Sequence, residues 1–315
     1  MAFNMRYLKN DIGLSLLWIC GLLTIFFLVV ITIYVLWNGL PIIFWNGKPT
    51  PNLSFLTDEP MQSGKTGGIF PIIVNTVLMT FMAMIIATPF SIGGAIYMAE
   101  YAGENVVTRL VRFSADSLAG IPSIVIGLFG YLLFVWYLHF GFSLLAGSLS
   151  VSIMALPIIL RVAEEAIKVV PKSYKEGSLA LGVTKWQTIY RVVLPAAIPG
   201  IITGLILGMG RIIGETAVFM LTAGSSMDIP DPFPLLTSKT YVLGGFLPSI
   251  TVPIPSFLLD SIRVMTVHQY IISMENVSLP NAFGTAATLL IMVYAITVTS
   301  NYITKRYTLK LGGRR

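Results

Sequence analysis

Six stretches of the chain, 12–37, 72–98, 117–138, 142–160, 198–223 and 285–304, stay apolar long enough to cross a bilayer. A hydrocarbon core takes about 20 residues of helix, and only helices or closed barrels satisfy their backbone inside it. Unbroken runs of this length predict an all-α, polytopic membrane protein with six transmembrane helices. Composition agrees. The 315 residues are 55% hydrophobic and 11% charged, where a soluble domain carries about 25% charged residues. This excludes a soluble enzyme, a disordered chain and a disulfide-stapled secreted domain. The single cysteine, Cys20, lies in an apolar run and reads as packing.

The first run follows Arg6 and Lys9 but is 26 residues long, with no small-residue cleavage site after Trp37. That exceeds a signal-peptide core, so it reads as a retained anchor. A seventh apolar stretch, 241–259, contains Pro248, Pro253 and Pro255. Each proline removes a backbone donor, so a lipid-facing helix is excluded in favour of an external loop or re-entrant segment.

The few basic residues fix an expected orientation. Arg6, Lys9, Arg109, Arg112, six residues of 161–197 and five of 305–315 fall on one side, fifteen of the twenty. Lys48, Lys65, Lys239 and Arg263 fall on the other, and Arg211 lies inside a span. Both termini are expected in the cytoplasm. The net charge of +6 then follows from topology, with no call for nucleic acid. The chain divides into an N-terminal part (1–66), a core (67–304) with a cytoplasmic loop at 171–195 and an external loop at 224–284, and a basic tail (305–315).

The 161–197 loop is patterned. Pro171 opens a short helix, Gly182 supplies a turn, and Trp186, Ile189, Tyr190 and Val193 recur at helical spacing until Pro195 ends the second helix. Such an elbow suits either a protein partner or the lipid interface. In the fifth span, Gly200, Gly204, Gly208, Arg211 and Glu215 share one stripe. Glycines admit a neighbouring helix, and Glu215 is spaced to reach Arg211. The pair is either a silent ion pair at a helix interface or an anion-handling arginine held by a carboxylate. A planar, permanently charged guanidinium suits an oxyanion. Arg161, with Glu164 and Glu165 at i+3 and i+4, reads either as a locally paired charge at a helix end or as a second basic station.

Three patterns carry no chemistry. Ser63-Gly64-Lys65-Thr66 ends like a P-loop, but Glu59 stands where the first glycine belongs. Gly208, Gly210 and Gly214 miss dinucleotide spacing, and His139 and His268 lack metal-ligand neighbours.

Glu176-Gly-Ser-x-x-x-Gly182, followed nine residues on by Val192-x-Leu194-Pro195, resembles the EAA loop of ABC importer permeases. It matches at Glu176, Gly182, Leu194 and Pro195, and carries Gly177 and Ser178 in place of the two alanines. Gly210-Arg-Ile-Ile-Gly-Glu-Thr-Ala217 resembles the GRAIGETAP signature of phosphate-importer permeases, departing at Ile212 and Val218. Further similarity to the A-type (PstA-like) subunit runs from about 67 to 224. It includes Ala95–Tyr101, Leu118–Ile124, Gly127–Gly130 and Phe140–Gly147, with Asn75 where the family usually has Gly.

The resemblance implies a type I ABC importer permease fold and import of inorganic phosphate across the cell membrane. It implies a homologous second permease subunit, cytoplasmic ATPase subunits that take the elbow, and an external phosphate-binding protein. The chain itself would carry no cofactor and no ATPase activity, ATP being bound by the partner. Readings left open are another oxyanion such as sulfate or molybdate, an ion-coupled secondary carrier, and a structural or sensor subunit.

Overall fold

The computed structural model describes the backbone of residues 2–45, 51–103, 105–230, 238–242 and 251–312, and side chains within 12–45, 51–103, 105–230 and 254–306. Lys48, Pro248, Arg314, Arg315 and the side chains of Arg6, Lys9, Lys239, Pro253 and Lys310 lie outside the described residues. So does much of the Pro-rich 228–260 stretch.

The fold is a helical bundle. Its long elements are α1 (Ala2–Trp45), α3 (Phe70–Ile96), α6 (Leu144–Lys168), α9 (Leu194–Ile213) and α12 (Leu279–Gly312). Among the described residues five helices are long and apolar enough to cross a membrane, and the number is six where the bent pair α4 (Val106–Ala119) and α5 (Ser123–Gly130), with its π-helical continuation to Tyr137, counts as one span. Short elements are α2 (Ser54–Thr57), α7 (Lys172–Ala180), α8 (Lys185–Thr188), α10 (Ala217–Thr222) and α11 (Met265–Met274), with two hairpins, β1–β2 (Pro60–Met61, Thr66–Gly67) and β3–β4 (Ser238–Val242, Thr251–Pro255).

Three expected spans are redrawn. The third, expected at 117–138, is divided: 106–119 form a separate helix that meets α5 at 100°. Pro122 forces the bend, because its ring pushes Ile121 out of the helical region. The fourth, expected to end at 160, continues as α6 to Lys168, which leaves Arg161 two turns inside it. The fifth, expected unbroken to 223, is interrupted: α9 stops at Ile213 and α10 starts at Ala217. α12 carries helix through Lys305 and Arg306 to Gly312. Within 224–284 the described residues include the paired strands Ser238–Val242 and Thr251–Pro255 and the partly buried helix α11.

Inside a bilayer, apolar side chains gain little by leaving lipid, so helices associate through close packing. α9 shows how. A Cβ on Gly208 would lie 2.6 Å from Ile159 Cγ1, and one on Gly204 3.2 Å from Val162. One on Gly200 would overlap the Ala166 methyl. The glycine stripe therefore seats α9 on α6. At the elbow end, Ala95, Ala163, Ile167, Val193 and Ala197 close a second contact among α3, α6 and α9. Large apolar side chains of α1, among them Leu17 and Trp37, point outward in this chain.

The P-loop look-alike is the tip of β1–β2. Gln62, Ser63 and Gly64 have positive φ, and Asn281 Nδ2 donates to the Gly64 and Lys65 carbonyls at 3.1 and 3.0 Å. No helix begins there to cradle a phosphate.

Candidate functional site

Arg211 occupies the last turn of α9, where exposed carbonyls favour a cation. Its guanidinium lies 3.6 Å from Met154 Sδ on α6 and 3.8 Å from a Glu215 carboxylate oxygen. The latter is an ion pair beyond hydrogen-bond length. The two side chains differ sharply in exposure, 47% for Arg211 and 6% for Glu215. A carboxylate fixed in the body thus sits behind an arginine with a free face.

The break in the helix makes this arrangement. Gly210 and Gly214 weaken the last turn, and the Glu215 N–H tightens onto the Ile212 carbonyl at 3.2 Å. The Glu215 carbonyl then has no helical donor and takes the Thr266 hydroxyl of α11 at 2.6 Å. Glu215 therefore lies in the break rather than on the α9 stripe with Gly200, Gly204 and Gly208. Thr266 lies 51 positions away in sequence, and no spacing pointed to it.

Arg161 is placed otherwise. It donates to Asp116 of α4 at 2.9 Å and lies 3.8 Å from Glu165. Glu164 does not serve it; that buried carboxylate takes Arg112 at 2.8 Å and Lys168 at 2.6 Å. These groups line a cleft of about 200 Å³ between α4 and α6. Three cations there meet three carboxylates, so Arg161 sits in a charge-compensated network that ties the two helices. Arg211 and Arg161 are not brought into one site.

The elbow has the expected turn, with Gly182 at φ +80° in open space. α7 stays helical through Gly177 and carries Glu176, and no residue of α7 is buried. Thr184 caps α8 with a capping box to Gln187. Pro195 does not end the second helix. A π-helical turn over Ile189–Val193 precedes it, and Leu194 and Pro195 open α9 within one continuous run, Lys185–Ile213. The missing proline N–H falls where the hydrogen-bond pattern is already shifted. The turn also splits the apolar stripe: Ile189 and Val193 are buried, while Trp186 and Tyr190 point outward with Leu181.

On the opposite end of the bundle, His268 is fully buried beside Gly64, and neither ring nitrogen finds a partner among the described residues. Burial, aided by the Arg263 charge, pushes its pKa down to about 4. Arg263 itself donates from Nε to the Ser225 carbonyl at 3.0 Å. Asn75 donates to the Asp228 carbonyl at 3.0 Å, pinning α3 to the chain beyond α10.

Residues 91–307, covering most of the bundle and all of α9, match the family described as binding-protein-dependent transport system inner membrane component. The chain belongs to that family. It is 37% identical over 219 residues, 70% of this chain and 72% of the relative, to the probable ABC transporter permease protein YqgI of Bacillus subtilis (strain 168). It is 38% identical over 163 residues to the phosphate transport system permease protein PstA 1 of Mycobacterium tuberculosis (strain CDC 1551 / Oshkosh), covering 52% of this chain and 53% of that one. Among solved structures, a bacterial alginate ABC transporter complexed with an alginate pentasaccharide-bound periplasmic protein shares the fold. Its TM-score is 0.59 at 16% identity, over 95% of this chain and 97% of that one. This polytopic membrane protein thus has the type I ABC importer permease fold.

Proposed function

We propose that the chain is the permease subunit of an ATP-driven inorganic phosphate importer, with Arg211 as the anion contact in its path. The observation carrying this reading is the half-exposed guanidinium backed by a buried carboxylate at a helix break. An intramembrane arginine is costly unless it faces partners or a path. Glu215 compensates the charge in the resting chain at a distance loose enough for an entering oxyanion to displace it. A divalent anion offers the fork two charge-assisted hydrogen bonds, and Glu215 recaptures the arginine as the anion leaves. The similarity to PstA proteins favours phosphate over sulfate or molybdate. The compensated Arg161 network suits a later, weaker station or a gate near the exit.

In this reading the elbow end is cytoplasmic, as the basic residues predict, and both termini lie there. A homologous second permease completes the path, ATPase subunits take the exposed Leu181, Trp186 and Tyr190 ridge, and a phosphate-binding protein delivers from outside. Glu176, Gly182, Leu194 and Pro195 shape the elbow, and ATP stays on the partner chain. The test is reconstituted uptake by the complete transporter with competing oxyanions. Phosphate should be taken up and resist excess sulfate and molybdate; a preference for either of those would reassign the substrate.

A further inference from the structure

We propose that Glu100 is a positioning residue that clamps both halves of the elbow to α3, so that elbow movement is carried into the bundle. This rests on the reading that the elbow docks an ATPase. No residue of α7 is fully buried, and its Tyr174 and Leu179 are only half covered, so apolar packing alone holds it weakly to the body. Glu100 supplies the hold. It lies in a π-helical turn, Tyr97–Tyr101, that ends α3, and its side chain is only 9% exposed. Lys175 of α7 pairs with its carboxylate. Lys185, the first residue of α8, donates to its backbone carbonyl at 2.5 Å and lies 4.5 Å over the Tyr101 ring. The Tyr101 ring is in turn stacked on Tyr97.

One residue of α3 therefore takes a lysine from each side of the Gly182 turn. The two halves are also joined to each other by the Ser178 and Thr188 hydroxyls at 3.0 Å. They act as one body with two exits: α8 runs directly into α9, and Glu100 leads into α3. α3 packs along α6, the helix against which Arg211 rests. Apolar packing of Ala95 on Val193 and Ala197 already links α3 to the second half of the elbow; the Glu100–Lys175 pair is the link that ties α7 itself to α3.

The complete transporter in proteoliposomes gives the test, read as substrate moved per ATP hydrolysed. E100Q and K175Q should keep the ATPase subunit bound, and each should lower that ratio roughly fivefold or more, a modest coupling between distant sites. The double variant should be no worse than either single, because both remove one contact. E100D, which keeps the charge, should recover most of the ratio. An unchanged ratio, or singles whose losses multiply in the double variant, would overturn the clamp. If E100Q does not assemble, K175Q at the more exposed partner decides alone. A transporter carrying L181D and W186D separates the two ideas: loss of the ATPase upholds docking. ATPase retained there would overturn docking and the clamp with it.

Discussion

Arg211 differs from every other described basic residue in having one carboxylate neighbour, a long ion pair and a free face. Its replacement by Ala should cut uptake roughly tenfold or more at normal membrane levels, since a hydrogen bond to a charged group is worth about 1.5–3 kcal/mol. Lys keeps the charge without the planar fork and should recover only part. Glu215→Gln should act differently: release should slow, because nothing recaptures the arginine, while binding tightens. Comparing single-turnover release with equilibrium phosphate binding would show it. His268 makes a prediction about stability. Its folded pKa of about 4 lies below the ordinary 6.5, so the unfolded chain takes up the proton first as pH falls. The stabilisation is full above about pH 6.5 and is lost progressively toward pH 4, on the order of 3 kcal/mol at most. Melting of the purified protein between pH 4.5 and 7.5 should show that slope, and His268→Gln should flatten it.

Among the elements, the contact between α9 and α6 grades the glycines. Gly200 faces the short, unyielding Ala166, Gly208 a flexible Ile159 side chain, and Gly204 a tight contact at 3.2 Å with the Val162 Cβ. Gly200→Ala should cost the most, about 1–3 kcal/mol as overpacking does, with Gly208→Ala and Gly204→Ala costing less, since one meets a flexible side chain and the other needs only a small shift of Val162. Thermal midpoints of the three variants in one detergent check the order. The same helices show what a sequence can carry. Helix existence, the glycine stripe and the Gly182 turn follow from local rules and were legible. The break at 214–216 was not, because its stability depends on Thr266 accommodating a carbonyl from far along the chain. Half of the pairing of Glu164 was also hidden: Lys168 at i+4 is local, but Arg112 reaches it only because α4 folds back onto α6, which likewise offers Asp116 to Arg161. Likewise no pattern ties Glu100 to Lys175, 75 positions away. The bend before α5 could have been read from Pro122, whose effect on Ile121 is local.

For the molecule as a whole, membrane character was legible from run length alone, and family membership agrees with it. The energy source separates the proposed importer from an ion-coupled carrier. Uptake should stop on ATP depletion while the ion gradient is held, and should persist when the gradient is collapsed with ATP present. The most direct measurement is ATP-dependent phosphate uptake into proteoliposomes holding the complete transporter, wild type beside Arg211→Ala at equal protein level. The account predicts phosphate accumulation by the wild type that excess sulfate leaves intact, and its loss in the variant. Wild-type accumulation by the Arg211→Ala transporter would contradict it.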